Sequence, residues 1–214
     1  VGPAVGAQIV LDLDTGRGVL VGLRTVSAVV RPPLRSVGVR LTGAGLFSIV
    51  GPDAGQVVDG AVDLDAVATP AVLARCRDQG FPPDAVVGLV AGLCTRFVPD
   101  PRVVFVEREL RRGASAREAA RLVDMDRRHF VPLFRQQIGI NPKTYERLVR
   151  YNRVLATLRD GSGRTIAAIA AEHGYADQAH LTRELRELAA TTPRRLTRLP
   201  SGPVNHLPLD DTTR

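Results

Sequence analysis

Short apolar runs broken by Gly, Pro or Asp fill the first 65 residues: AQIVLDL (7–13), GVLVGL (18–23), TVSAVV (25–30), SVGVRL (36–41), LFSIV (46–50) and QVVDGAVDL (56–64). Val and Ile enrichment with that punctuation predicts short strands, and so a small antiparallel sheet or partial barrel. From residue 69 the spacing becomes helical. TPAVLARCRDQG (69–80) carries a cap at Thr69 and Pro70 in the first turn, and PPDAVVGLVAGLCTRF (82–97) continues the pattern, so a helical pair closes the first half. In VPDPR (98–102) two prolines interrupt helix and mark a boundary.

Beyond that boundary every periodic segment is helical. Ser115 with Glu118 three residues on forms a capping box, and Ala119, Ala120, Leu122 and Val123 supply an apolar face. A three-residue break, Asp124-Met125-Asp126, leads into RRHFVPLFRQQIG (127–139), where Phe130, Leu133 and Phe134 share a face and Arg127, Arg128 and His129 sit near the start. A short helix, a tight turn and a basic second helix make up helix-turn-helix grammar. The arrangement recurs about 50 residues on. Thr165 caps IAAIAAEHG (166–174), a turn follows at Tyr175-Ala176, and Asp177 opens DQAHLTRELRELA (177–189). Between the units, PKTYERLVRYNRVLATLRDG (142–161) has Pro at its start and Gly at its end. Eighteen or so residues at 1.5 Å each span about 27 Å. That is close to one turn of B-DNA, about 34 Å, so two recognition helices could enter successive major grooves on one face.

Charge sharpens this reading. Residues 1–100 hold 8 Arg against 9 Asp, whereas residues 101–200 hold 20 Lys+Arg against 11 Asp+Glu, so the excess lies in the helical block. Such segregation favours a polyanionic partner, nucleic acid or an anionic membrane surface, over a merely solubilising surface. Two cysteines, Cys76 and Cys94, are too few for a disulfide framework and fit a reducing cytoplasm. No apolar run approaches the roughly 18–20 residues of a membrane span. The chain opens on Val1 and its one methionine is Met125. A non-standard start codon, processing and missing N-terminal residues all fit that opening.

GYADQAHLTRELRELAATTPRRL (174–196) resembles the second helix-turn-helix signature of the AraC/XylS transcription regulators, and FRQQIGINPKTYERLVRYNRVLATL (134–158) resembles the end of their first unit and its connecting helix. Together the likeness covers roughly 105–198. SVGVRL followed by VVDGAVDLDAV (57–67) resembles a domain found ahead of such regulators in actinobacteria. The resemblance implies duplex DNA as partner, with Gln178, His180, Thr182 and Arg183 of the second recognition helix as base-reading or phosphate-contacting residues. Gln can bond adenine, Arg can bond guanine, and Thr can touch a thymine methyl or a phosphate. For Arg183 the competing role is an ion pair with Glu187 four residues on, and for His180 an ordinary surface histidine. In the first unit, Val131 and Pro132 stand where the family usually has polar residues. Pro132 removes a helix hydrogen bond, at a cost of order 3 kcal/mol, so the helix is expected to kink or start late. That unit is expected to position the protein more than it reads sequence, through Arg128 and Arg135, with Arg127 and Lys143 on phosphates. Leu181 and Leu185 replace the family's usual phenylalanines, and Ala190 replaces a common glycine.

The expected fold class is α+β: a small, mostly-β, partial-barrel-like domain with a helical pair (1–97), a linker (98–104), an all-α domain with two helix-turn-helix units joined by a long helix (105–198), and a disordered tail (199–214). Enzymatic chemistry is not expected. The four histidines show no metal spacing, and no CxxC, GxSxG or phosphate-loop pattern occurs. GAG at 43–45 completes no dinucleotide fingerprint. Asp63 and Asp65 would share a solvated strand face, and Cys76 between Arg75 and Arg77 is expected to pack as a small apolar residue rather than act in redox chemistry. No cofactor is implied. RNA polymerase is the partner that such a regulator recruits or blocks, and residues 1–97 are where related regulators place an effector site or a homodimer contact. The sequence names no effector. The competing reading is an interaction or small-molecule-binding module that has lost specific DNA binding.

Overall fold

The computed structural model describes residues 4–26, 33, 35–160 and 163–189. Four strands, β1 (Ala7–Asp12), β2 (Gly18–Val21), β3 (Ser36–Leu41) and β4 (Ala61–Asp63), form an antiparallel sheet in the order β3-β1-β2-β4. Alternation along β1 puts Ala7, Ile9 and Leu11 in the core, with Ile9 opposite Leu20 on one side and Val39 on the other. The β1–β2 turn is tied by Asp12, whose Oδ1 accepts from the backbone N–H groups of Asp14 and Thr15 at 2.9 and 3.1 Å.

Two expected strands come out differently. LFSIV belongs to a helix, α1 (Gly43–Val50), capped by Thr42, whose hydroxyl accepts from the Gly45 N–H at 2.9 Å. Leu46, Phe47, Ser48 and Ile49 are all buried, and a helix covered on nearly every side has no polar face to break its apolar run. Periodicity alone cannot separate such a run from a strand. The other departure is QVVDGAVDL, of which only Ala61–Asp63 is strand. Gly51–Val57 winds as 3-10 turns opened by Pro52, and Asp59 has φ +58°. Asp65 follows in a second 3-10 turn, where it pairs with Arg77 at 3.1 Å instead of alternating with Asp63 along a strand. Of TVSAVV, Thr25 and Val26 are held in a bend by the Asp59 carboxylate, and residues 27–30 lie outside the described residues.

Helices α2 (Pro70–Asp78) and α3 (Pro83–Leu93) form the expected pair. Cys76 is buried between them with its thiol donating to the Ala85 carbonyl at 3.3 Å, and burial pushes the half-buried Cys94 thiol up. The VPDPR segment is a helix start. Asp100 accepts from the Arg102 N–H at 2.8 Å, and Pro101 opens α4 (Pro101–Arg112), so half of 98–104 is the first turn of a helix. Five helices follow: α5 (Ala116–Arg121), α6 (Arg127–Ile138), α7 (Pro142–Arg159), α8 (Ile166–Glu172) and α9 (Gln178–Ala189).

A continuous buried cluster runs from Ala7 to Ala189. It crosses from the sheet to the helices where α1 and the 3-10 segment 51–57 pack on α6 and α1 also meets α4. Glu107 of α4, 2 % exposed, lies at that crossing. It accepts hydrogen bonds from the backbone N–H groups of Gly43 and Ala44, at 2.6 and 3.0 Å, and from the Tyr145 hydroxyl of α7 at 2.7 Å. At the same crossing Gly139 caps α6 with φ +90°, where a Cβ would stand 2.5 Å from a Val58 methyl. No helix among the described residues is long and apolar enough to cross a membrane. The expected tail, 199–214, lies outside the described residues, as does Ala190.

Candidate nucleic-acid interface

The two units are built alike. Ser115 and Thr165 cap α5 and α8, while Asp126 and Asp177 stand before α6 and α9, each carboxylate accepting a backbone N–H, from Arg128 at 2.7 Å and from His180 at 2.6 Å. Both second helices have 12 residues, and an offset of 51 superposes 127–138 on 178–189. Phe130 and Phe134 then match Leu181 and Leu185, all four fully buried. The leucines that replace the family's phenylalanines therefore fill the same face.

Outward-facing positions match as well. On α6, Arg128, Val131, Pro132 and Arg135 lie at i, i+3, i+4 and i+7; on α9 the equivalents are Ala179, Thr182, Arg183 and Arg186. Each stripe is exposed except for half-buried Val131 and Thr182. Arg128, Arg135, Arg183 and Arg186 have no ion-pair partner among the described residues. Glu187 is held by Arg147 of α7 at 2.8 Å, so the Arg183–Glu187 pair does not form.

The other expected site residues are placed differently from one another. Gln178 is exposed in the first turn of α9. His180 turns toward its own unit, with its ring edge-on to Tyr175 at 5.3 Å between centroids and its Nδ1 3.5 Å from the Ala176 N–H, so it shapes the turn more than the surface. Arg127 and Arg135 line a groove of about 1180 Å³ between α5, α6 and the start of α7, together with Arg117, Arg121 and Lys143. Lys143 is paired with Glu146 at 2.8 Å. Pro132 neither delays nor ends α6, which runs unbroken from Arg127 to Ile138. Three residues of this surface escaped the sequence reading: Arg186, Arg117 and Arg121. The 51-residue offset would have found Arg186, because it falls on Arg135.

Each unit is fixed by a buried glutamate and tyrosine. In the first, Phe134 packs on Phe130 and edge-on to Tyr145, whose hydroxyl donates to Glu107. In the second, the Tyr175 hydroxyl donates to Glu184 at 2.9 Å, and Glu184 also meets Arg147 at 3.3 Å and Arg150 at 3.6 Å. Arg150 lies over the Tyr175 ring, 5.0 Å from its centroid. Burial, then the neighbouring glutamate, pushes both phenols up, so each remains a donor at neutral pH. Helices α6 and α9 are thereby held to α7. Among the described residues no group of three or more His, Cys, Asp or Glu could hold a metal ion.

Two helix-turn-helix units on one connecting helix define a class of fold. Residues 119–198, less than half of the chain, match the family model described as a helix-turn-helix domain. The matched stretch holds the whole second unit, α7 and all but the first turn of the first unit, and lies within the 105–198 stretch that resembles the AraC/XylS regulators. Among solved structures, the C-terminal domain of AraT, a response regulator from Geobacillus stearothermophilus, is similar at 14% identity over 51% of this chain and 96% of that one, with a TM-score of 0.43. ToxT from Vibrio cholerae is similar at 11% identity over 94% of this chain and 89% of that one, TM-score 0.44. Unsaturated fatty acid bound wild-type ToxT from Vibrio cholerae strain SCE256 gives 12% identity, 92% and 85% coverage and a TM-score of 0.42. Likenesses this distant add nothing to the geometry above. No curated protein matches the chain.

Proposed function

We propose that the chain is a transcription regulator that binds duplex DNA site-selectively, with α6 and α9 as the two recognition helices and α7 as their spacer. The observation that carries this reading is the pair of matched stripes on equivalent 12-residue helices, each presenting two arginines without an ion-pair partner among the described residues, of which Arg135 and Arg186 share one position. Three features support it. The basic excess lies in the same half of the chain, the 18 residues of α7 span about 27 Å against a DNA turn of about 34 Å, and the groove beside α6 gathers Arg117, Arg121 and Arg127 where a phosphate backbone would run.

In this reading Arg183, Thr182 and Gln178 read base edges in the second unit with Arg186 beside them, and His180 orders the turn that carries them. In the first unit Arg128 and Arg135, with Arg127 and Lys143, hold phosphates. Residues 105–198 bind DNA in the cytoplasm and thereby recruit or block RNA polymerase, and residues 1–97 bind a small-molecule effector or a second copy of the chain.

The test is selection of genomic fragments by the purified protein, followed by a salt titration on the best site. A reproducible motif is expected, relaxed in Arg183→Ala by roughly 1–3 kcal/mol at one segment. Arg128→Ala is expected to weaken all sequences alike and to reduce the salt slope by about one. Equal binding of every fragment would reduce the basic half to an electrostatic DNA binder, and no retention at physiological salt would leave the interaction-module reading standing.

A further inference from the structure

We infer that the first unit selects thymine, through the C5-methyl group, with Val131 and Pro132 as the contacting pair. The inference rests on the DNA-binding reading above and goes beyond its assignment of the first unit to phosphate contacts. It starts from the 51-residue offset, which puts Val131 on Thr182 and Pro132 on Arg183. In the second unit these two positions carry hydrogen-bonding groups. In the first they carry none, so the donor and acceptor code of the major groove cannot be read there. What the groove offers an apolar side chain is the thymine methyl; guanine, adenine and cytosine edges present nitrogen and oxygen. Setting an apolar pair against those edges strips them of water without replacing its hydrogen bonds, so discrimination runs toward thymine.

The pair stands at the helix surface, with Val131 also on the rim of the groove beside α5. Pro132 is exposed, and Val131, although half-buried, is not packed against the core as its neighbour Leu133 is. Both line a shallow depression on the outer side of α6 together with Asp126, Arg127 and Arg128. Arg128 and Arg135 stand one turn to either side and are free of ion pairs among the described residues, so phosphate contacts bracket the apolar pair along the groove. Proline here removes one helix hydrogen bond, yet α6 continues to Ile138, so its ring is presented from within an unbroken helix.

The experiment uses the selected site and the intact chain, and it changes the DNA first. Each thymine is replaced singly by uracil, which keeps the base pair and every nitrogen and oxygen and deletes only the methyl. In the segment that Arg183→Ala leaves unaffected, we expect one or two positions where the swap weakens wild-type binding about three- to fivefold, the ordinary worth of one buried methyl. The salt slope is expected to stay the same. The same swaps should lose their effect in Val131→Ala with Pro132→Ala, whose fold is checked by its melting curve. The inference is overturned if every swap in that segment changes affinity less than twofold, or if the segment holds no thymine, while Arg183→Ala still relaxes the other segment. Absence of any sequence-selective binding would overturn this inference and the proposed function together.

Discussion

Glu107 is the side chain whose removal should be felt furthest. Its carboxylate joins three elements far apart in sequence: it sits on α4, takes the two leading N–H groups of α1, and takes the Tyr145 hydroxyl of α7. One oxygen accepts both Gly43 and Tyr145, and the other accepts Ala44. Glu107→Gln keeps the shape. Its amide oxygen can serve the doubly bonded position, which leaves its NH₂ facing the Ala44 N–H, so one bond is lost and two donors oppose each other. An unmet buried donor costs about 1–3 kcal/mol, and that is the expected loss. Glu107→Ala leaves three neutral donors unmet at about 1–3 kcal/mol each, partly relieved where water enters the space, so about 3–5 kcal/mol is the expected loss. Urea unfolding at fixed pH measures both: with a slope near 2 kcal/mol/M, the midpoint should fall by about 1 M for Gln and by about 2 M for Ala. The double-mutant cycle with Tyr145→Phe should give a coupling of at least about 0.5 kcal/mol, because the two groups share one bond. A Glu107→Gln midpoint within 0.2 M of wild type, or zero coupling, would refute the reasoning.

Three further outcomes follow from single sites. Gly139→Ala should cost about 2–4 kcal/mol by the same urea assay, because φ of +90° strains any L side chain and its Cβ would meet Val58 at 2.5 Å and the Ala54 carbonyl at 3.1 Å. Ser115→Ala should cost about 1 kcal/mol in thermal unfolding, because it removes the hydroxyl that caps the Glu118 N–H at 3.2 Å. His173 is held below its ordinary 6.5, chiefly by burial, while its Nε2 meets the Thr157 hydroxyl at 2.9 Å. The unfolded chain therefore takes up the proton first: stability is fully present above about pH 6.5 and falls as pH drops through that value toward the lower folded pKa. A melting-temperature profile from pH 8 to 5 should show this fall in the wild type and a shallower one in His173→Gln; parallel profiles would count against it.

What could be read from the sequence tracks where local chemistry decides the structure. The C-terminal helices begin and end at residues that announce themselves: Ser115, Asp126, Asn141 and Thr165 each accept a backbone N–H at a helix start, and Gly139 ends α6 in a left-handed turn. The family resemblance rests on the same stretch. In the first half the deciding contacts are distant. LFSIV is helical because β1, β3, α4 and α6 pack around it, and the one local sign is the Thr42 cap four residues before Leu46. Glu107 was invisible for the same reason, since its partners lie 64, 63 and 38 residues away. Among the site residues, Arg183 was readable as a candidate, but its freedom depended on Arg147 capturing Glu187 from another helix. His180 shows the converse: its position pointed outward by periodicity, and an aromatic neighbour in the preceding turn drew it in.

The two buried glutamates differ in a way that bears on control. Glu184 lies on α9 itself and, among the described residues, bonds within the second unit and to α7, so α9 is referenced to the connecting helix. Glu107 lies outside the first unit and bonds to α1, and α6 ends against the 3-10 segment at Ala54 and Val58. The first unit is therefore referenced to the N-terminal half as well as to α7. Residues 43–58 thus touch the first unit through contacts buried at one end of α6, whereas the side-chain bonds given for Glu184 reach only Tyr175 and α7. The stripe that carries Arg128, Val131, Pro132 and Arg135 lies on the same helix whose C-terminal end packs against Ala54 and Val58. A small rotation at Gly139 would swing that stripe relative to Arg183 and Arg186 and change the spacing of the two contact surfaces. On the proposed function both surfaces meet one duplex, where their spacing governs affinity.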